Sequence, residues 1–86
     1  MKLNKEFIPH ETGGESLLVP TGAADFSGLV KGNETLGAIL DLLKQDTTEA
    51  EMVAAMMARF DAPEDIIARD VHKALTELRK IGAIDE

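Results

Sequence analysis

The sequence predicts an α+β domain of winged-helix type, with a three-stranded antiparallel N-terminal sheet followed by three helices. Three observations carry this. Six of the seven glycines fall within the first 37 residues, a composition of strands and turns. From Leu36 onward the apolar residues recur at the helical period. Successive strand-like runs are joined by short connections, which favours an antiparallel meander. The 86 residues read as one domain, 1–86, a size at which folding buries about 60–65% of the unfolded chain's surface.

Taken in order, Leu3 to His10 is a first strand with Pro9 near its end. Gly13-Gly14 is a turn, and Ser16 to Val19 is a second strand stopped by Pro20. A loop over Thr21 to Asp25 leads to a third strand, Phe26 to Lys31, in which Gly28 marks a bulge or a close backbone approach. Asn33 is a natural N-cap for a helix whose Leu36, Ile39, Leu40 and Leu43 share one face. Thr48 and Glu51 form a capping-box pattern ahead of Met52, Val53, Met56, Met57 and Phe60, with Met56 and Met57 assigned to core packing. Pro63 sits just inside the start of a third helix with Ile67, Val71, Ala74, Leu75 and Leu78 on its apolar face. Gly82 is its C′ residue, and Ala83 and Ile84 fold back onto the core.

Composition excludes several function classes. The chain has no cysteine, hence no disulfide framework, thiol nucleophile or thiolate metal site. No apolar run approaches the roughly 18 residues of a membrane helix, and Met1 to Ile8 carries Lys2, Lys5 and Glu6, so the chain reads as soluble and cytoplasmic. A net charge of −7 opposes nucleic-acid binding, because phosphate neutralisation supplies most non-specific affinity. The third helix balances Arg69, Lys73, Arg79 and Lys80 against Glu64, Asp65, Asp70 and Glu77, so it is no basic recognition helix.

No catalytic or metal constellation emerges. His10 and His72 lie in different halves, and no nucleophile motif is present. The run Gly13 to Ser16 lacks the lysine and the following helix of a phosphate loop. Glu64, Asp65 and Asp70 lack calcium-loop spacing, and no cofactor is implied. What remains is the third strand. In a three-stranded meander it is an edge, and an edge offers unpaired N–H and C=O groups to an extended guest chain. Apolar anchors against a helical wall would have to supplement such pairing to reach micromolar affinity.

The segments ESLLVPTG, DFSGLVKGNETLGAILDLL and RDVHKALTELRKIGAID resemble the PqqD family, peptide-recognition domains that serve ribosomal peptide modification. The match rests on Asn33, Thr35, Ile39, Leu42 and Leu43, then on Asp70, Val71, Ala74, Leu75, Leu78 and Gly82. The resemblance implies a non-catalytic protein that binds the leader segment of a precursor peptide as an added strand. It implies presentation of that leader to a modifying enzyme, commonly a radical SAM enzyme whose iron–sulfur clusters belong to the partner. On this chain the implied peptide-binding residues are Phe26, Ser27, Gly28, Leu29, Val30 and Lys31 of the third strand and Arg69, His72, Lys73 and Thr76 of the third helix. Three departures stand out: Gly32 replaces a hydrophobic residue, Leu36 replaces a glycine, and Leu40 replaces a tryptophan. They point away from pyrroloquinoline quinone synthesis and toward another modified peptide. The rival reading is a winged-helix DNA-binding regulator, disfavoured by charge. A third is a docking or homodimerisation domain, since bare edges exchange strands.

Overall fold

Gly13 and Gly14 adopt φ of 58° and 80°, the two left-handed residues that a type I′ hairpin turn requires. They join β2 (Phe7–Thr12) to β3 (Glu15–Pro20) in the computed structural model, which describes residues 1–22 and 30–86. Before this hairpin lies β1 (Lys2–Leu3), and after it come β4 (Val30–Gly32), α1 (Glu34–Leu42), α2 (Glu49–Arg59), α3 (Glu64–Lys80) and β5 (Ile84–Asp85). β2, β3 and β4 form an antiparallel sheet in that order, and β1 pairs with β5 in a second, two-stranded one. Of the expected third strand, Phe26, Ser27, Gly28 and Leu29 lie outside the described residues.

The expected single strand from Leu3 to His10 is in fact two. Asn4 Oδ1 accepts from the Glu6 N–H at 2.7 Å, and the Phe7 N–H returns to the Asn4 carbonyl at 3.0 Å. This Asx-type turn competes with the ladder and breaks it. The freed β1 ties the two ends of the chain together: Leu3 N–H donates to Leu43 O at 2.8 Å and Asn4 N–H to Ala83 O at 2.7 Å. The Met1 ammonium donates to Asp46 Oδ1 at 2.7 Å and holds that carboxyl below its ordinary range.

The helices start and stop where their caps dictate. Asn33 Oδ1 accepts from the N–H groups of Thr35 and Leu36 at 3.1 and 3.3 Å. Thr48 Oγ1 accepts from the Glu51 N–H at 3.1 Å while donating to Glu51 Oε1 at 3.1 Å. Pro63 is the N-cap of α3, one position outside the helix, because its ψ of 147° is extended. At the other end Gly82, at φ 77°, donates to Arg79 O while Ala83 donates to Leu78 O. That pair of bonds is a Schellman cap, and it turns Ala83 into the core.

α1 lies across the inner face of the sheet, and α3 packs on α2, α1 and β5. Leu18, Ile39, Leu43, Met52, Val71 and Leu75 are completely covered. Full burial of each such side chain contributes about 1.5–3 kcal/mol before entropy is counted. On α2 the buried methionines are Met52 and Met56, and Met57 is 37% exposed. Met57 was expected in the core, but it lies too far round the helix from the Met52–Met56 stripe.

Two of the departures from the family pattern, Gly32 and Leu36, meet in one space. A Cβ on Gly32 would collide with the Cβ and Cδ2 of Leu36, so the leucine occupies the space that a side chain at 32 would take. Gly32→Val alone should therefore destabilise the fold by about 1–3 kcal/mol. In Gly32→Val/Leu36→Gly most of that cost should vanish, a coupling readable from urea denaturation of the four proteins in the cycle. Strictly additive effects would show that the two positions do not share one space.

Candidate functional site

The register fixes which peptide groups each strand turns outward. Thr21 N–H donates to Glu6 O at 2.8 Å, one step beyond the Phe7↔Pro20 pair. Because antiparallel pairs alternate, Ile8↔Val19 and His10↔Leu17 are hydrogen-bonded pairs, whereas Phe7↔Pro20, Pro9↔Leu18 and Glu11↔Ser16 are not. Ser16 and Leu18 therefore point their peptide groups at β4 and bond Gly32 and Val30, their register partners. Lys31, opposite Leu17, is left with its N–H and C=O facing away from the sheet.

The two edges differ in what they can accept. On β2 the outward positions are Phe7, Pro9 and Glu11. The Phe7 N–H is already bonded to Asn4, and Pro9 has no N–H to offer. On β4 the described outward position is Lys31, whose side chain is exposed and forms no ion pair among the described residues. Val30 turns inward against the core.

α3 presents two flanks. His72 Nδ1 lies 3.1 Å from Glu49 Oε2 at the start of α2, and Thr76 Oγ1 donates to the His72 carbonyl at 2.8 Å. At His72 that flank meets the start of α2. The opposite flank carries Asp70, which with Thr35, Met56, Phe60, Ala62 and Ile67 lines a notch of about 100 Å³. At ~30 Å³ per water, this is room for about three waters or one small apolar side chain. Thr35 is in the first turn of α1, three residues after β4 ends at Gly32. Arg69 and Lys73 are exposed on the outer side of α3 without an ion-pair partner among the described residues.

Of the residues singled out from sequence, Val30 and Lys31 are on the strand that borders the sheet among the described residues, and Arg69 and Lys73 have no ion-pair partner among them. His72 contacts Glu49 of α2, and Thr76 bonds back to the His72 carbonyl within α3. Sequence reasoning missed Asp70, Thr35 and Ala62 as lining residues. Asp70 reads from sequence as a solvated acid and a family-match position, and no periodicity reveals which loop residue closes a notch. Among the described residues no cluster of His, Asp and Glu could hold a metal ion, and no helix is long and apolar enough to cross a membrane.

Residues 15–84 match the family model described as Coenzyme PQQ synthesis protein D (PqqD). Among solved structures the chain is similar to "TbiB1 in Complex with the TbiA(beta) Leader Peptide", with a TM-score of 0.75 and 19% identity over 99% of this chain and 100% of that one. At that identity the likeness speaks for the fold: a three-stranded antiparallel sheet followed by three helices. No curated protein matches the sequence. With the family model spanning residues 15–84 and the fold matched end to end, the chain belongs to the PqqD family.

Proposed function

We propose that this protein is a non-catalytic peptide-binding domain. It takes the leader segment of a ribosomally made precursor peptide as an added strand on β4 and presents it to a modifying enzyme, a radical SAM enzyme in the family's usual setting. The observation that carries the reading is the asymmetry of the edges: Lys31 offers a peptide N–H and C=O, whereas β2 has lost two of its three outward donors. Family membership supports it, and so does the leader peptide bound to the similar TbiB1 structure. The reading places the guest along Phe26, Ser27, Gly28, Leu29, Val30 and Lys31.

The second wall is α3. One apolar guest side chain enters the notch beside Asp70, while Arg69 and Lys73 form a cationic outer rim suited to an acidic leader. The reading draws its helix contacts chiefly from Arg69 and Lys73; His72 meets Glu49 of α2, and Thr76 lies one turn further along α3. Magnitudes set how long the guest must be. Two bonds to Lys31 contribute about 1–3 kcal/mol, and one buried aliphatic anchor about 1.5–3 kcal/mol. Micromolar affinity needs about 8 kcal/mol after the cost of ordering the guest. The guest strand therefore has to continue along residues 26–29.

Amide chemical-shift titration with the leader peptide encoded beside the gene tests the reading, with duplex DNA in parallel. Saturable shifts at Val30 to Gly32 and around the notch are expected with peptide and not with DNA. Shifts with DNA alone, centred on α3, would support the winged-helix regulator instead. Lys31→Pro removes an outward donor without touching the ladder to β3, so it should keep the fold and lower leader affinity at least tenfold. Ala62→Leu fills the notch and should weaken the leader about tenfold at unchanged thermal stability. Charge reversal of Arg69 and Lys73 should weaken an acidic leader more at low salt than at high salt. Equal loss at both salts would remove charge from the account.

A further inference from the structure

Backbone pairing along an edge strand is nearly blind to sequence, because every guest residue except proline offers the same N–H and C=O. A guest strand can therefore slip along β4 unless side chains fix its register. Two neighbouring residues of β4, Lys31 and Gly32, differ in a way that fixes it.

Lys31 is the only lysine or arginine in β2, β3 and β4. It is exposed, shares the outer face of the sheet with its register partner Leu17, and forms no ion pair among the described residues. Its outward N–H and C=O bond one and the same guest residue when the guest runs antiparallel, the sense of both ladders in this sheet. In such a pair the two side chains stand on one face, with about 5.5 Å between Cα atoms. A guest carboxylate there meets the ammonium on the side of the sheet turned away from the helices. The net charge of −7 repels a carboxylate over most of the molecule, so this one cation marks a register.

Gly32 is one position further along β4 and turns its peptide groups to Ser16 of β3. The guest residue opposite it forms a non-hydrogen-bonded pair, the closer kind, with about 4.5 Å between Cα atoms. That guest side chain points to the inner face, where Gly32 has none to meet it. What stands there is Leu36, whose Cβ and Cδ2 fill the place of a Cβ on Gly32 and which is only half-buried. A large apolar guest side chain at this position covers both the bare backbone of the edge glycine and the exposed part of Leu36.

From these two positions we infer that the β4 edge selects its leader by two adjacent residues, a large apolar one followed directly by Asp or Glu. The order comes from the antiparallel sense: the guest residue opposite Gly32 precedes the one opposite Lys31. The inference rests on the reading of β4 as the leader-binding edge, and adds to it the class of substrate and its register. Lys31 and Leu36 are the specificity-determining side chains. Lys31 acts on the outer face, whereas Arg69 and Lys73 stand on α3, so they meet different guest residues.

The test uses the leader peptide encoded beside the gene, isotope-labelled, with cross-strand proton contacts to Lys31 and Gly32 identifying their guest partners. An acidic residue opposite Lys31 is expected, with an apolar one directly before it opposite Gly32. Lys31→Glu, an exposed change, should weaken the leader about fivefold at low salt and leave thermal stability unchanged. Exchanging the paired guest acid for lysine should restore binding to the Lys31→Glu protein to within about twofold, the coupling expected of a direct pair. Exchanging the apolar guest residue for serine should weaken binding about tenfold. A neutral or basic residue opposite Lys31, a polar one opposite Gly32, or losses that simply add in the swapped pair would overturn the motif and leave leader binding at β4 standing. A leader that contacts neither Lys31 nor Gly32 would overturn the β4 reading itself, and the motif with it.

Discussion

A three-stranded sheet cannot satisfy all its own peptide groups: two rows face outward, and each must be covered, blocked or used. In this protein the β2 row is closed by covalent chemistry and by a local turn. Pro9 has no donor, and the Phe7 N–H is taken by Asn4. Among the described residues the β4 row is unpaired at Lys31, whose alternation is dictated by a hydrogen bond more than a strand away, between Thr21 and Glu6. In the proposed function, the placement of a guest, the role of α3 as a wall and the use of the notch all depend on that difference between edges.

Stability and recognition meet at Gly32. The residue bonds β3 on one side and abuts Leu36 of α1 on the other, so the edge strand is held to the helix by a close approach of backbone to side chain. In the family pattern a larger residue stands before the Asn and a glycine after the Thr. Here the bulk has moved from strand to helix, which keeps the space filled while removing a side chain from the edge strand's inner face. Leu36 is itself packed against the core cluster. The edge is therefore an extension of the core, and a guest that pairs with it meets a supported surface.

Much of this was legible in the sequence because the signals are local. Asn33, the Thr48–Glu51 pair, Gly13-Gly14 and Gly82 each specify a backbone geometry within a few residues, and each element begins or ends where they dictate. The burial of Ile67, Val71, Leu75 and Leu78 follows from period alone. The misses have long-range or competing causes. Asn4 offers its side chain to Glu6 and splits a strand whose apolar pattern reads as continuous. Met57 satisfies the helical spacing with Phe60 but falls outside the stripe that α3 covers. Which flank of α3 faces a guest is undecided by periodicity, since that depends on elements far away along the chain; the structure adds that His72 meets Glu49 of α2. The notch is not written in any single segment, since it is assembled from residues far apart along the chain.

The central claim is that a guest strand pairs with the outward peptide group of Lys31. Amide hydrogen exchange, followed residue by residue with and without leader peptide, addresses it most directly. The account predicts that the Lys31 amide exchanges rapidly in the free protein and becomes strongly protected on binding, while the Glu11 amide on the opposite edge does not change. Protection of Lys31 before any peptide is added, or protection gained at Glu11 instead, would contradict it.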